Sequence, residues 1–181
     1  AGLIGIEVDQ DCGDDLRMLV THQFRDRRCI KPFKPINTAG IATLHDAIDD
    51  LRGALVAPVE APITQRFGRV VDPEFQTETL RNGVDFAAQA GEPVRSVARG
   101  IVRFAGWFRG YGRIVIIDHG DAYHSVSGHL DEIQVQVDDV VLAGQPIGTV
   151  GETGSLAGPS LYFELRKGGS PIDPAPWLAG E

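Results

Sequence analysis

The stretch AGPSLYFELR, residues 157–166, holds the densest run of side chains that could do chemistry. Read at the two-residue period of a β-strand, one face is apolar and the other is polar. The apolar side chains are Leu161, Phe163 and Leu165. The polar face carries a hydroxyl, a phenol, a carboxylate and a guanidinium, from Ser160, Tyr162, Glu164 and Arg166. The pattern predicts a strand over a hydrophobic core, whose other face is a catalytic floor, a docking surface or a solvated surface.

Imidazoles that could complete a catalytic or metal site precede this strand. His119 belongs to the turn-like sequence IDHG, so we expect a structural role for it. His124 and His129 lie in the strand-like run AYHSVSGHL, where a surface role is expected for His124. Together with the carboxylate of Glu164, these histidines are the candidates for ligands of a zinc ion.

The composition argues against several classes of partner. The chain has 181 residues and a formal net charge of -8, which disfavours nucleic acid or an anionic membrane as the main partner. No apolar run reaches the roughly 18 residues of a membrane span. The two cysteines, Cys12 and Cys29, are too few for a structural zinc site and form either separate thiols or one disulfide. Because the chain begins at Ala1 without methionine, we expect a processed form or a fragment that has lost its targeting sequence.

The elements that position these residues divide the chain into two parts. Residues 1–56 are predicted to be a partly helical segment, a candidate for regulation, and residues 57–181 a β domain. The predicted helices of the first part span residues 14–27 and 42–55. In the second helix, Ile48, Leu51 and Leu55 form an apolar stripe. The stripe packs either at the edge of the β domain or over its functional site as a lid.

The β domain is predicted from short runs rich in β-branched and aromatic residues, punctuated by Gly and Pro. The runs are PITQRF, GVDFA, PVRSVARGIVRFAGWF, RIVIIDH, AYHSVSGHL, IQVQV, PIGTVG and SLYFELR. AGEPVRSV (90–97) and AGQPIGTV (143–150) share the pattern A-G-x-P-[VI]-x-x-V, which predicts matching strands in a two-fold β architecture. Neither copy contains the lysine that biotinyl and lipoyl carriers require, so that function is excluded.

Residues 57–178 resemble the LytM domain of the lysostaphin-like zinc metallopeptidases. The resemblance rests on RNGVDF, GWFRGYGRIVIIDHG, SGHL, AGQPIGTVG and GPSLYFELR, which occur in this order. It implies a mainly β fold of two antiparallel layers with a groove across one sheet. In active members of the family, that groove holds zinc and cleaves peptidoglycan cross-bridges.

The active pattern of that family is H-x-x-x-D in the first motif and H-x-H in the last strand, from which two His and the Asp bind zinc. Here the first ligand position is Arg81, the Asp is retained as Asp85, and the two His of H-x-H are replaced by Ser160 and Tyr162. His129 survives in SGHL. A guanidinium offers no lone pair and a neutral phenol is a poor ligand, whereas catalytic zinc needs three protein ligands. We therefore expect a degenerate former active site that binds no metal and has no peptidase activity.

Degenerate LytM domains with W-x-x-G-Y-G and S-L-Y-F-E-[IL]-R resemble the EnvC-type murein hydrolase activators, and this chain has both, at 107–112 and 160–166. The resemblance implies that the former zinc groove docks a helix of a periplasmic N-acetylmuramoyl-L-alanine amidase, itself a zinc enzyme. Docking would relieve amidase autoinhibition during septal cell-wall splitting in cell division. Tyr and Arg suit this role because both are enriched at interface hot spots. The expected docking residues are Tyr111, Tyr162, Arg166, Asn82, Arg81 and Ser160.

No cofactor is expected, and peptidoglycan and a membrane division complex are the further expected partners. Residues 1–55 lack the sustained heptads of the coiled coils that link EnvC-type activators to such a complex. Two alternatives remain. One is a residual zinc-dependent peptidoglycan endopeptidase, which metal analysis would detect. The other is a passive peptidoglycan-binding module, which would bind murein sacculi without any amidase.

Overall fold

The computed structural model describes residues 48–71 and 78–179. The chain divides into two compact units, Ala1–His45 and Asp46–Glu181. All of the described residues belong to the second unit, which begins before the predicted boundary at residues 56 and 57. The predicted helix 14–27, the first part of the predicted helix 42–55, and both cysteines lie outside the described residues.

The described residues form twelve β-strands and two short 3₁₀ helices. The strands are β1 (Ile63–Gln65), β2 (Gly68–Val71), β3 (Glu78–Arg81), β4 (Val84–Phe86), β5 (Pro93–Arg95), β6 (Gly100–Phe108), β7 (Gly112–Gly120), β8 (Tyr123–Ile133), β9 (Val140–Val141), β10 (Pro146–Val150), β11 (Leu161–Lys167) and β12 (Ser170–Ile172). The 3₁₀ helices are Ile48–Leu51 and Ala175–Trp177. The mainly β fold predicted from the sequence is confirmed.

Ten of the strands belong to one antiparallel sheet, whose main path is β1-β4-β11-β8-β7-β6-β9. β10 pairs with both β8 and β5, and β12 pairs with β11, whereas β2 and β3 form a separate hairpin. The main core lies on one face of the central strands, where Val115 of β7 and Phe163 of β11 belong to the same cluster as Val94 of β5 and Ile147 of β10. β5 and β10 therefore cover one face of the sheet, and the opposite face is left to form the groove.

The two repeat copies pair with each other. β5 and β10 are their strands, and the register places Pro146 opposite Arg95 and Thr149 opposite Pro93. The glycine at the second position of each copy has a positive φ, 86° at Gly91 and 76° at Gly144, a conformation that glycine adopts without steric cost. The prediction that the copies supply matching strands is confirmed.

The segment before β1 packs at the far end of the central strands, away from the groove. Ile48 and Leu55 are buried in the main core, and Leu51 packs against it. The backbone of Leu55 bridges to Leu178 after the second 3₁₀ helix. For these described residues, packing at the edge of the β domain is the alternative that holds, and they do not form a lid.

Three local predictions differ from the structure. The predicted helix 42–55 is wrong over residues 48–55, because a single 3₁₀ turn ends there and Gly53, at φ 82°, turns the chain so that Leu55 can pair. IQVQV (133–137) is not a strand, because β8 ends at Ile133. Strands β2, β3 and β12 are short elements that the sequence pattern did not reveal.

Candidate functional site

A groove of about 420 Å³ lies beside the strand pair β4–β11. Its floor and walls come from strand β1, strand β4 and the residue after it, the turn between β6 and β7, strand β8 and the loop between β10 and β11. The lining residues are Thr64, Gln65, Asp85, Ala87, Gly110, His129, Gly154, Ser155, Leu156, Ala157, Pro159 and Ser160. Two of the sequence candidates, Asp85 and Ser160, therefore face the same space as His129.

An ion pair occupies the edge of the groove. Nη1 of Arg81, the last residue of β3, lies 2.9 Å from Oδ2 of Asp85 in β4. Burial raises the pKa of Asp85, and the positive charge of Arg81 opposes that rise. The guanidinium of Arg81 thus binds the carboxylate of Asp85. Asp85 is the one side chain of the first motif that could still bind a metal.

Tyr162 lies beside the groove, next to the lining residues Asp85 and His129, and between two glycines. In register, it is opposite Asp85 on one side and Gly128 on the other. A Cβ on Gly83 would lie 2.9 Å from Cζ of Tyr162, and one on Gly128 would lie 3.4 Å from its Cδ1. The absence of side chains at these two positions therefore makes the slot in which the phenol ring fits.

Aromatic rings continue from Tyr162 along the sheet. The ring of Tyr111 lies 5.2 Å from that of Tyr162, and Phe108 lies 6.0 Å from Tyr111. Phe104 follows at 6.3 Å from Phe108. Centroid separations in this range are typical of favourable aromatic pairs. These four half-buried rings form a continuous apolar strip, named here the aromatic strip.

Behind Tyr162, strand β11 carries a buried polar network. The hydroxyl of Tyr162 donates to Oε2 of Glu164 at 3.1 Å, and Nε of Arg166 donates to Oε1 of Glu164 at 2.7 Å. Nη1 of Arg166 donates to the carbonyl of Gly169 at 3.2 Å. Glu164 and Arg166 are 0% and 2% exposed. Arg166, expected among the docking residues, is not exposed on the groove surface, because its guanidinium is bonded inside the protein.

His129 reaches the groove because of a β-bulge. Pairing of β7 with β8 shifts by one residue between Arg113–Leu130 and Val115–Ser127. His129 lies in the extra stretch with φ 62°, a left-handed conformation that is uncommon for residues other than glycine. Its Nδ1 lies 2.9 Å from the carbonyl of Thr153, and its ring lies 6.1 Å from that of Tyr162. The bulge turns the imidazole from its expected direction toward the phenol.

The loop after β10 is fixed as a wall of the groove. The hydroxyl of Thr153 donates to the carbonyl of Leu130 at 2.6 Å and accepts from the amide of Arg113 at 2.9 Å. Gly112 packs so closely on this loop that a Cβ there would collide with the Thr153 carbonyl. The position of the wall is therefore set by backbone contacts with β7 and β8.

The family model for peptidase family M23 matches residues 79–174, which is more than half of the chain. The chain belongs to this family. The match runs from β3 to the residue before the second 3₁₀ helix and therefore includes every lining residue of the groove except Thr64 and Gln65 of β1.

Comparison with curated and solved relatives of this M23 chain gives activators and peptidases alike. The murein hydrolase activator EnvC of Escherichia coli K12 is 39% identical over 127 residues, which cover 70% of this chain and 29% of EnvC. The DD-carboxypeptidase/endopeptidase Mpg of Neisseria meningitidis MC58 is 38% identical, over 62% of this chain and 26% of Mpg. A zinc-containing peptidase of Vibrio cholerae superposes with a TM-score of 0.62 at 34% identity, over 66% of this chain and 39% of that chain. The chain thus spans less than a third of the length of the two curated relatives.

The groove residues of this M23 chain do not fit a zinc ion. The carboxylate of Asp85 is bonded to Arg81. Ser160 and Tyr162 replace the two His of the H-x-H motif. Burial, followed by the nearby charge of Glu164, raises the pKa of the Tyr162 phenol well above its ordinary value. A phenol that keeps its proton is a poor metal ligand. Within residues 48–71 and 78–179, no three His, Cys, Asp or Glu side chains are grouped so as to hold a metal.

The remaining histidines of the M23 domain do not form a second centre. His119 is buried, with Nδ1 2.8 Å from the carbonyl of Arg99 and Nε2 2.8 Å from Oγ of Ser125, and burial lowers its pKa to about 4. The structural role expected for His119 agrees with these contacts. The surface role expected for His124 is wrong, because this residue is 6% exposed and its Nε2 lies 4.0 Å from Oδ1 of Asp118.

The structure brings most of the sequence candidates together. Arg81, Asp85, Tyr111, His129 and Tyr162 lie around the groove. Ser160 is at its edge, bridged to Gly151, and Asn82 lies between β3 and β4.

Sequence reasoning missed the roles of four residues at the groove. These are the acceptor Glu164, considered only as a zinc ligand, the two slot glycines Gly83 and Gly128, and the wall residue Thr153. A glycine inside a strand pattern often marks a bulge or a close approach, so Gly128 in SGHL carried a usable signal. Thr153 carried none, because its role depends on contacts between distant parts of the chain.

No helix within the described residues is long and apolar enough to cross a membrane.

Proposed function

We propose that this chain is a non-catalytic activator of a peptidoglycan amidase, which docks in the groove of its M23 domain. One observation carries the proposal. The domain keeps the groove of a peptidase family, but by the resemblance Arg81 and Tyr162 occupy two of the three zinc-ligand positions, and Ser160 replaces the other His of H-x-H. A groove without the means to activate water retains its shape, and that shape suits binding.

The floor has the properties of a protein-binding surface. Tyr162 and Tyr111 are partly buried rings in contact with each other, and the exposed Leu156 stands in the loop that lines the groove. Aromatic residues held by a rigid scaffold lose little conformational freedom on binding, which favours affinity. The amphipathic helix of a partner would place its apolar face on the aromatic strip and its polar side chains near Arg81 and Asp85.

The curated relatives support activation of cell-wall hydrolysis. EnvC carries the name of murein hydrolase activator, and so does NlpD of Salmonella typhimurium, which is 36% identical over 67% of this chain and 32% of NlpD. From the resemblance of the two motifs, we assign the partner as a zinc-dependent N-acetylmuramoyl-L-alanine amidase in the periplasm, whose autoinhibition docking relieves. Peptidoglycan and a membrane division complex remain proposed further partners.

A peptidase function is the second candidate, because the similarity to Mpg is almost as high as that to EnvC. The two candidates differ in metal content. Purified full-length protein, incubated with zinc and then desalted, should retain less than stoichiometric zinc by mass spectrometry if the activator proposal holds. Stoichiometric zinc that is lost in an Asp85→Ala variant would favour the peptidase.

The direct test of the activator proposal measures release of dye from labelled peptidoglycan by each periplasmic amidase of the source bacterium. The wild-type chain should raise the amidase rate, and the variant Tyr111→Ala, Tyr162→Ala should not. Leu142→Ala is the control, because Leu142 is an exposed apolar side chain that belongs neither to the groove lining nor to the aromatic strip. Full activation by the double variant, or release of dye by the chain alone, would overturn the proposal.

A further inference from the structure

Glu164 lies directly behind the groove floor and joins the side chains on either side of it along β11. One carboxylate oxygen accepts from the hydroxyl of Tyr162, and the other accepts from Nε of Arg166 and lies 2.6 Å from its Nη2. We propose that Glu164 is a positioning residue, which fixes the phenol of Tyr162 in the groove without touching the partner, and that Arg166 acts through it. This inference rests on the proposed docking function.

The slot confines the ring of Tyr162 but does not fix its hydroxyl. Gly83 and Gly128 limit the ring from two sides through backbone contact. The position of the hydroxyl depends on its hydrogen-bond partners, which are Glu164 and Tyr111. Of these two, Glu164 is fully buried. The carboxylate therefore determines which edge of the ring meets a docked helix.

Arg166 favours the ionised form of this acceptor, through an ion pair of 2.6 Å. Burial raises the pKa of Glu164, and the charge and hydrogen bonds of Arg166 oppose the rise. An ionised carboxylate can only accept hydrogen bonds. Tyr162 must then donate its proton inward, which leaves its oxygen lone pairs as the acceptors that face away from Glu164. A protonated Glu164 would remove this constraint on direction.

Substitutions in a buried ion pair should not leave one charge buried without its partner. Removal of one partner leaves an uncompensated buried charge, whereas replacement of both by apolar residues of similar volume is often tolerated. The informative pair is therefore Glu164→Met, Arg166→Met and Glu164→Gln, Arg166→Met. Both variants lack the ion pair, but only the second retains a side-chain oxygen that can accept from Tyr162.

The experiment measures the affinity of the full chain for the purified amidase that it activates, with the melting temperature of each variant. The Met/Met variant should bind roughly fivefold more weakly, and the Gln/Met variant should recover most of that loss, since a single hydrogen bond separates them. In a Tyr162→Phe background, which has no hydroxyl to position, the difference between the two variants should vanish. A general packing role would not depend on the Tyr162 hydroxyl.

Two outcomes overturn the inference and are distinguishable. If Tyr162→Ala abolishes binding but the Met/Met and Gln/Met variants bind equally well, the groove docks the amidase and Glu164 does not position Tyr162. If Tyr162→Ala binds like the wild type, the docking proposal itself fails at this site and the inference fails with it. If Met/Met does not fold, the variant Glu164→Leu, Arg166→Met, which also lacks an acceptor for Tyr162, takes its place in the same comparison.

Discussion

On strand β11, Leu161, Phe163 and Leu165 face the main core, whereas Tyr162, Glu164 and Arg166 face the groove side of the same sheet. The two faces are almost equally buried at Phe163, Glu164 and Arg166. They differ in what replaces water: the core face is packed by apolar side chains, and the groove face is held by an ion pair and directed hydrogen bonds. Alternation of apolar and polar residues in a strand therefore does not by itself mark a solvated face.

The core face also contains a polar side chain, but that side chain is kept neutral and is not part of an ion pair. His119 is buried among core strands with both ring nitrogens bonded, and burial lowers its pKa to about 4. The core thus accepts an imidazole only in its neutral form. The groove face instead keeps opposite charges on Glu164 and Arg166. The comparison suggests four measurements, given in order of their expected effect on stability.

Phe163→Ala should have the largest effect. Phe163 is 1% exposed in the main core, and truncation of a buried aromatic residue costs about 3–5 kcal/mol. Urea unfolding followed by circular dichroism measures the change in the free energy of unfolding. A loss below about 1 kcal/mol would contradict the assignment of this face as the core.

Arg166→Ala should destabilise the protein by about 3 kcal/mol, because it leaves the Glu164 carboxylate buried without its partner. This expectation differs from the one that the sequence alone gives, in which Arg166 is a surface residue whose removal leaves the stability unchanged. The charge-free variant Glu164→Met, Arg166→Met should unfold at a denaturant concentration close to that of the wild type. Equal midpoints for Arg166→Ala and the wild type would mean that the groove face is solvated after all.

The neutral state of His119 predicts a dependence of stability on pH. The unfolded chain binds a proton at His119 below about pH 6.5, but the folded chain does so only below about 4. Stability is therefore lost as the pH falls through this window, by about 2 kcal/mol between pH 7 and pH 5. The control His119→Gln, which can still donate and accept, should show a weaker dependence over the same range. A wild-type stability that rises toward pH 5 by a similar amount would contradict a neutral His119.

Tyr162→Ala should have the smallest effect on stability, about 1–2 kcal/mol, because it removes a half-buried ring and one hydrogen bond but leaves the ion pair in place. Of the four changes, it should have the largest effect on the affinity for the amidase. Loss of an interface hot spot costs at least about 2 kcal/mol of binding, or roughly thirtyfold in affinity. Calorimetric titration of the amidase checks the binding, and a thermal melt checks the fold. A variant that melts like the wild type and binds equally well would separate Tyr162 from docking.

The sequence predicts the β architecture and the place of the groove, because both depend on local patterns. Strand alternation, the turn glycines and the A-G-x-P repeat identify the strands that matter, and the resemblance to a known family locates Arg81, Asp85 and Tyr162. These features can be predicted because each is encoded within a few neighbouring residues. The helix over 42–55 fails for the opposite reason: its described part follows the pairing of Leu55 with Leu178, which no local pattern contains.

The state of charge and exposure of the site could not be read from the sequence. Arg166 looks like a surface residue in strand alternation, and only its contacts with Glu164 and Gly169 reveal that it is buried. His129 would point away from Tyr162 in a regular strand, and the bulge at Gly128 redirects it. In both cases, the outcome depends on which neighbour the fold brings near.

Leu55 and Leu178 lie side by side, and Ala179 donates to the carbonyl of Leu55 at 2.9 Å. The ring of Trp177 packs against that of Tyr123, and Tyr123 pairs with Lys167 at the end of β11. Lys167 is roughly 17 Å along the strand from Tyr162, at about 3.3 Å per residue. The first and last described segments of the folded unit thus pack together at the end of β11 remote from Tyr162. This geometry makes the unit a module in the sense used for domain insertion and circular permutation. A short linker could close it into a ring, or a longer chain could carry it as an insert, while the floor around Tyr162 stays as it is.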